Sequence, residues 1–361
     1  MYLDEIALKN YRNYESCRIG GFSRGVNIFI GGNAQGKTNF LEAVNYVSWG
    51  RSMRGSLDKE AVTYGKRLAA VDARFFSGDF MRHIEEEFDT EGKKQIKIDG
   101  ESIKRISLLV GIANTIVFSP DDLRTVKDSP SIRRKTIDQE ISKVRPVYYR
   151  DLTTYMSAVR EKNRLLKMKG TDVRLIESYN EQLVEYGTKI IDRRGGFIDM
   201  LAKTASHVHQ QLASGEKLEI AYRCCCDRGD IKNSLTKKLE KNMDRELETG
   251  VSMTGPHRED VDIRIGGMSA KSFASQGQQR TAILSIKIAC AMLAKKATGD
   301  APVLLLDDVF SELDEKRRNN LVRMTEGFQV FITGTELPGG FKAPEMKLFT
   351  VEKGKIESVL F

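Results

Sequence analysis

The sequence predicts an α/β fold: a core of buried parallel strands, interrupted by a compact helical lobe. Three observations predict it. The apolar run Val26-Asn27-Ile28-Phe29-Ile30 leads into Gly31-Gly32-Asn33-Ala34-Gln35-Gly36-Lys37-Thr38 and then into a helical pattern. A second apolar run, Val303-Leu304-Leu305-Leu306, ends in Asp307-Asp308, and strands buried on both faces read as such continuous runs. Between these runs, residues 131 to 247 are highly charged, follow helical spacing, and hold one proline, Pro146.

In chain order, Tyr2 to Leu8 and Asn27 to Ile30 read as strands. The segment Gly31 to Thr38 fits G-x-x-x-x-G-K-[ST] in the order strand, glycine turn, helix, which makes it a phosphate-binding loop. The glycines let successive backbone N–H groups curl inward on a triphosphate. The start of the following helix adds partial positive charge. Lys37 reaches the β- and γ-phosphates, and the Thr38 hydroxyl binds Mg²⁺. The candidate ATP site is therefore Gly31, Gly32, Asn33, Ala34, Gln35, Gly36, Lys37 and Thr38, with Asn39 after them. Phe40, Leu41, Val44 and Val47 continue at helical spacing.

Glu85 to Phe88 and Gln95 to Ile98 form a predicted strand pair around Asp89-Thr90-Glu91-Gly92, and Asp99-Gly100 marks a turn. The character changes near Ser119-Pro120. Tyr155, Val159, Lys162 and Leu166 mark one helical face, and Leu175, Tyr179, Leu183 and Tyr186 another. Gly170 separates these helices, and Gly195-Gly196 is expected to interrupt the region again. Val261, Ile263 and Ile265 alternate as a strand. Ser275-Gln276-Gly277-Gln278-Gln279-Arg280 precedes a helical pattern at Ala282, Ile283, Ile286, Ala289 and Leu293. A Ser and a Gly at a helix start make an anion site, so a nucleotide gripped from two sides is expected. Asp307 is placed to hold Mg²⁺ and Asp308 to polarise the attacking water as general base. The chain closes on a predicted hairpin around Lys353-Gly354.

The 361 residues allow one large or two modest domains. No apolar stretch approaches the ~20 residues that span a bilayer. The opening Met1-Tyr2-Leu3-Asp4-Glu5 carries acids where a signal peptide carries bases, so a cytoplasmic protein is expected. The net charge of +8 favours polyanion partners, nucleic acid first. Five cysteines, Cys17, Cys224, Cys225, Cys226 and Cys290, fit neither a disulfide framework nor a zinc site and read as reduced thiols. His207 and His209 are two apart in a helical stretch and point to different faces.

Taken together, Gly31 to Thr38 (Walker A), Ser275 to Arg280 (signature), Val303 to Asp308 (Walker B) and Ser311-Glu312-Leu313-Asp314 resemble the ABC/SMC-type ATPase head. More closely, the chain resembles the RecF family of bacterial DNA replication and repair proteins. The resemblance rests on Leu8 to Tyr14, Val117 to Leu123, Ser129 to Arg134, Thr254 to Asp260 and Phe273 to Arg280, and it runs over essentially the whole chain. It implies an ABC/SMC-type P-loop ATPase head with an inserted compact helical lobe. It also implies an ATP-dependent homodimer in which each ATP lies between Walker A of one copy and Ser275, Gly277 and Gln278 of the other. Arg12, from the first hairpin, is implied to approach the nucleotide. The implied setting is DNA repair, replication and recombination at gaps or stalled forks, with other recombination-mediator proteins, recombinase loading and SOS induction.

Several departures lead to an expectation of weak, slow ATP hydrolysis. Gln276 stands where the common signature has Gly, Asp308 stands where transporter-type heads have Glu, and Gly334 or Thr335 stands at the switch-histidine position. Ser119 and Asp122 occupy the region where a Q-loop glutamine is sought. The expected division is 1–120 and 251–361 for the two parts of the ATPase lobe, and 121–250 for the helical insert. The insert is too short for a long coiled-coil arm: two helices of about 50 residues would reach only ~75 Å. Three basic clusters are candidates for double-stranded or gapped DNA: Arg51, Arg54 and Lys59; Arg133, Arg134 and Lys135; and Arg160, Lys162, Arg164, Lys167 and Lys169. Tyr148, Tyr149 and Tyr155 read as core in preference to base-stacking residues. The alternative is a transporter ATP-binding subunit, which the basic insert and the late motifs disfavour.

Overall fold

The structure, a computed structural model, describes residues 1–168, 172–213 and 215–359. Lys169 and the expected helix separator Gly170 lie outside the described residues. The chain begins β1 (Tyr2–Tyr11), β2 (Tyr14–Gly20), β3 (Val26–Ile30) and α1 (Lys37–Trp49). It continues with β4 (Leu68–Ser77), β5 (Phe80–Asp89), β6 (Lys94–Ile98), β7 (Glu101–Ile103) and β8 (Thr115–Phe118). A helical stretch follows: α2 (Arg124–Lys127), α3 (Pro130–Val144), α4 (Pro146–Lys167) and α5 (Val173–Leu212). Then come β9 (Leu218–Arg223), α6 (Ile231–Thr249), β10 (Asp260–Ile265), β11 (Met268–Ser269), α7 (Ala270–Phe273) and α8 (Gln276–Thr298). The chain ends with β12 (Val303–Leu306), α9 (Glu315–Met324), β13 (Val330–Gly334), β14 (Lys347–Glu352) and β15 (Lys355–Val359).

Two compact units result. The first takes in Met1–Leu123, His207–Glu216 and the chain from Ser275 onward. Its mainly parallel sheet has the order β15-β14-β3-β13-β12-β8. The register aligns the carboxyl ends: Gly334 opposes Ile30, and Leu306 opposes both Ile332 and Phe118. The segments that follow β3, β8, β12 and β13 therefore emerge together at one edge, where ligands of open α/β sheets bind. A second sheet, antiparallel, has the order β2-β1-β4-β5-β6-β7.

Helix α1 touches β1, β4 and β5 of the antiparallel sheet and β8 and β13 of the parallel one. It is buried without interruption from Phe40 to Ser48, which is how a helix enclosed on all sides reads. Phe29 of β3 stacks on Phe40 of α1 and on Phe349 of β14, each at 4.7 Å between ring centroids. These rings hold the loop between β3 and α1 on a rigid base.

The second unit comprises Arg124–Ser206 and Lys217–Ala274. The expected face Tyr155, Val159, Lys162 and Leu166 of α4 is buried throughout. Lys162 is on that face because its ammonium meets the buried Glu246 carboxylate at 2.6 Å and Asn180 Oδ1 at 2.5 Å. Buried charge is tolerated only in such paired form. Two expectations are corrected. Helix α5 runs unbroken through Gly195-Gly196. Gly195 is there for space: a Cβ would sit 2.8 Å from the Arg228 guanidinium. The stretch 251–274, expected with the ATPase lobe, belongs to the second unit, because β10 pairs antiparallel with β9 and with β11. Tyr148 and Tyr155 are fully buried, as core residues.

Tyr155 donates its hydroxyl to His257 Nδ1 at 2.6 Å, which assigns the ring proton to Nε2, facing the Ser252 carbonyl at 3.3 Å. Burial pulls the His257 pKa down to about 4. The unfolded chain therefore binds the extra proton first, and stability is lost as pH falls from about 6.5 toward 4. We predict that the wild-type chain loses on the order of 3 kcal/mol more unfolding free energy between pH 7 and pH 4 than His257→Asn does. Denaturant titrations of both chains at the two pH values check this. Equal losses would contradict it.

Candidate functional site

The site lies at the carboxyl edge of the parallel sheet. Its loop passes close to the Val351 backbone and to the Asn13 side chain, and glycines stand at both approaches. A Cβ on Gly31 would fall 2.3 Å from the Val351 carbonyl oxygen, and one on Gly36 would fall 2.6 Å from Asn13 Nδ2. Gly36 also carries φ 117° as the residue capping α1, a conformation that L side chains avoid. Asn13 Nδ2 donates to the Gln35 carbonyl at 3.0 Å, and Asn39 Nδ2 donates to Asn13 Oδ1 at 2.8 Å. From the other side, Gly354 N–H donates to the same Gln35 carbonyl at 3.0 Å, and Lys353 N–H to Gln35 Oε1 at 2.8 Å. The terminal hairpin turn thus grips the loop.

Lys37 Nζ lies over the mouth of this loop, 2.7 Å from both the Gly31 and Gly32 carbonyl oxygens. Burial draws its pKa below the usual lysine range, opposed by the charges of Asp307 and Asp308. Asp307 follows β12 and is 6% exposed. Thr38 Oγ1 donates to its carboxylate at 2.9 Å, and Thr333 Oγ1 donates at 2.6 Å. Burial raises the Asp307 pKa, and the two hydroxyls oppose that rise. A buried carboxylate held by hydroxyls, with Lys37 and Arg54 acting on it only through space, suits a divalent cation. Thr38 and Asp307 are the residues that would hold Mg²⁺, which would supply Lewis-acid polarisation of phosphoryl oxygens.

Asp308 adopts φ 51°. Its N–H donates to Thr333 Oγ1 at 3.0 Å, and its carbonyl accepts from Ser311 Oγ at 3.0 Å. Its side chain is consequently turned to the exposed side of the site. A cavity of about 400 Å³ gathers these groups: residues Asn33 to Asn39, Asp307 and Asp308 line it together with Asn13, Arg54, Pro120, Thr333 and Thr335.

Three placements differ from those the sequence suggests. Arg12 is not a wall of the cavity. Its guanidinium binds Glu42 of α1 at 2.8 and 3.1 Å, Ser56 Oγ at 2.7 Å and the Glu60 carbonyl at 2.8 Å. Glu42 is fully buried and also accepts from Ser52 Oγ at 2.5 Å, so it needs a bidentate cation. Arg54 lies 3.6 Å from the same carboxylate and lines the cavity. Arg133 is 8% exposed and forms a two-pronged pair with Asp260 at 2.7 and 2.8 Å. Arg134 is engaged by the Glu259 carbonyl. Arg133 is therefore structural, as Lys162 is, while Arg51, Lys59, Lys135, Arg160, Arg164 and Lys167 are exposed.

The signature segment caps α8. Ser275 Oγ accepts from Gln278 N–H at 3.2 Å, and Gln278 Oε1 accepts from Ser275 N–H at 2.7 Å. This reciprocal capping box is braced by Glu216, whose carboxylate accepts from Gln278 Nε2 at 2.7 Å. Ser275 and Gly277 are exposed, and neither they nor Gln278 line the loop cavity. Sequence reasoning missed Asn13, Thr333 and Glu42 as parts of the site. Thr333 sits two residues before the Thr335 singled out, and strand alternation places it on the side of Asp307. Asn13 and Glu42 carry no spacing signal at all.

Known proteins bear on this geometry. The chain matches the family described as the RecF/RecN/SMC N terminal domain over residues 2–338. It is 38% identical over 365 residues to the DNA replication and repair protein RecF of Clostridium kluyveri, covering 99% of this chain and 100% of that one. It is 37% identical over 372 residues to the protein of the same name from Lysinibacillus sphaericus, with 99% and 100% covered. A solved structure of the recombination mediator protein RecF with ATP, in the RecFOR pathway, superposes with a TM-score of 0.91 at 36% identity, over 99% of this chain and 98% of that one. An Smc head bound to the C-winged helix domain of ScpA shares the fold, with a TM-score of 0.59 at 16% identity and 99% and 97% covered. A phosphate loop, a hydroxyl-held acid and a capped signature helix, matched over the full length, place this chain in the RecF family of DNA replication and repair proteins.

Proposed function

We propose that this chain is an ATP-dependent DNA-binding protein of replication and recombinational repair that works as an ATP-gated homodimer. The observation that carries the reading is the one-sidedness of the cavity. Asn33 to Asn39, Asp307 and Asp308 line it, whereas the exposed, pre-capped start of α8 in the same chain does not. A helix N-terminus carries about half a positive charge and would oppose its counterpart in a second copy. Two triphosphates between two such chains would neutralise both ends, so ATP would favour the dimer and hydrolysis would release it.

Within each site, Lys37 would leave the Gly31 and Gly32 carbonyls for the phosphates. Thr38 and Asp307 would hold Mg²⁺. Asp308 would take a proton from the attacking water, and Arg54 would face the nucleotide from the α1 side. Asp308 is a short acid whose backbone is tied to Thr333, and Gly334 or Thr335 stands in place of a switch histidine, which supports slow turnover. The exposed residues Arg51, Lys59, Lys135, Arg160, Arg164 and Lys167 are the remaining candidates for phosphate contacts to double-stranded or gapped DNA. Among the described residues no base-reading element accompanies them, so binding would depend on salt more than on sequence. Action at gaps or stalled forks, with other recombination mediators, recombinase loading and SOS induction, follows from the family setting. Relatives matched end to end leave the transporter reading without support.

Three outcomes test this. Lys37→Ala abolishes ATP-dependent dimerisation in analytical ultracentrifugation; an unchanged dimer would refute the sandwich. Asp308→Asn still dimerises with ATP but dissociates at least about tenfold more slowly, because the general base contributes 10²–10⁴-fold to hydrolysis; rapid dissociation would remove Asp308 from that role. Arg54→Ala weakens nucleotide affinity by about tenfold, roughly 1.4 kcal/mol, as measured by calorimetry, and leaves DNA retention at saturating ATP unchanged. The reverse pattern would return Arg54 to the DNA surface.

A further inference from the structure

Strands β4 and β5 of the antiparallel sheet carry a side-chain cluster that takes no part in the proposed ATP or DNA chemistry. Asp72 of β4 stands directly opposite Glu85 of β5. His83, two residues before Glu85, shares the same face of β5. The other face of these strands is core: Val71, Ala73, Ile84 and Phe88 are buried. Asp72, His83 and Glu85 are half-buried. His83 Nε2 lies 3.0 Å from Asp72 Oδ2. One imidazole nitrogen and one oxygen from each carboxylate all lie within 4.8 Å of one another. Among the described residues, no other three His, Cys, Asp or Glu side chains converge in this way.

We propose that Asp72, His83 and Glu85 form a binding site for a divalent transition-metal ion, Zn²⁺ in particular. Electrostatics call for a cation here, because like charges directly opposite each other in a sheet are destabilising. Other acids of this sheet are matched by bases: Glu5 by Arg18 and Arg74, Asp99 by Arg82, and Glu86 by Lys94. Asp72 faces Ala7 across β1, and the base that it meets is the imidazole of His83. Arg74, opposite His83, is bound to Glu5 and acts on Asp72 only through space. Lys97 of β6 stands opposite Glu85, yet among the described residues it forms no ion pair with that acid.

The donor set selects the ion. One imidazole nitrogen and two carboxylate oxygens suit Zn²⁺, which takes His, Asp and Glu ligands in a tetrahedral array. Mg²⁺ and Ca²⁺ prefer oxygen ligands throughout. Three protein ligands leave a fourth position for water. Around a tetrahedral ion with bonds of about 2.0 Å, ligand atoms stand about 3.3 Å apart. The trio therefore closes onto zinc by side-chain rotation, with the strands held fixed. With the metal on Nε2, the His83 ring proton sits on Nδ1, and Asp72 exchanges its contact with the imidazole for a bond to the same ion. The frame is rigid: β4 and β5 pair without a slip from Leu68 and Asp89 to Ser77 and Phe80. Sites on such paired strands are held more precisely than sites on loops. Bound zinc cross-links β4 to β5 and stabilises the folded chain by mass action.

The test strips the full-length chain with chelator, removes the chelator, and titrates Zn²⁺ by calorimetry without nucleotide. Excess Mg²⁺ is present to occupy the ATP edge, and Co²⁺ serves as a spectroscopic stand-in for zinc. The expected result is one tightly bound Zn²⁺ per chain. Its affinity falls at least about tenfold in both His83→Ala and Glu85→Gln, and the zinc-induced rise in unfolding temperature falls with it. The tight Co²⁺ form is expected to show ligand-field bands without a thiolate-to-cobalt charge-transfer band, which separates this site from Cys224, Cys225 and Cys226. No tight zinc on the wild type, unchanged affinity in either variant, or a thiolate band from the tight Co²⁺ site would each overturn the proposal.

Discussion

One buried carboxylate organises the catalytic edge of this protein. Asp307 sits at the end of β12, and its two hydroxyl donors come from different places in the chain: Thr38 from the first turn of α1, and Thr333 from β13. The side-by-side order β3-β13-β12 brings them together. A carboxylate this deeply enclosed, with no ion-pair partner at contact distance among the described residues, carries a desolvation cost that only its donors or a cation offset. The same acid therefore couples the phosphate loop to the acidic edge beside the cavity. Thr333 extends the coupling one residue further by accepting from the Asp308 N–H.

A second buried acid, Glu42, has a structural role. It draws Arg12, Ser52 and Arg54 onto the flank of α1. Arg12 is consumed by this pairing, while Arg54 keeps its outer end at the cavity. This is why a sequence that shows two arginines near a phosphate loop does not show which of them reaches the cavity. The choice is made by a fully enclosed carboxylate whose partners come from the turn after β1 and from the segment after α1.

The contrast between legible and illegible features follows from range. The phosphate loop, Asp307-Asp308 and the Ser275 to Gln278 cap were legible because each is a local device: glycine turns, an apolar strand with acids at its end, and a capping box within four residues. The terminal hairpin and the β5–β6 pair were legible for the same reason. Arg133 and Lys162 were not. Both look like solvated bases in a charged helix, yet each is buried against an acid more than 80 residues away, Asp260 or Glu246. Gly195-Gly196 reads as a break, whereas Gly195 provides clearance for Arg228 inside a 40-residue helix. The division of the chain near residue 274 depends on β10 pairing with β9, a contact that no local pattern encodes.

The proposed reading turns on the idea that each phosphate loop is completed by the signature helix of another copy. The most direct measurement mixes two disabled chains, Lys37→Ala and Ser275→Arg, and follows ATP hydrolysis. Each alone is expected to be inactive, since one lacks the phosphate lysine and the other blocks the start of α8. The mixture is expected to regain activity, because a mixed pair holds one intact loop facing one intact signature. Full activity of Ser275→Arg by itself, or no recovery on mixing, would contradict a pocket built from two chains.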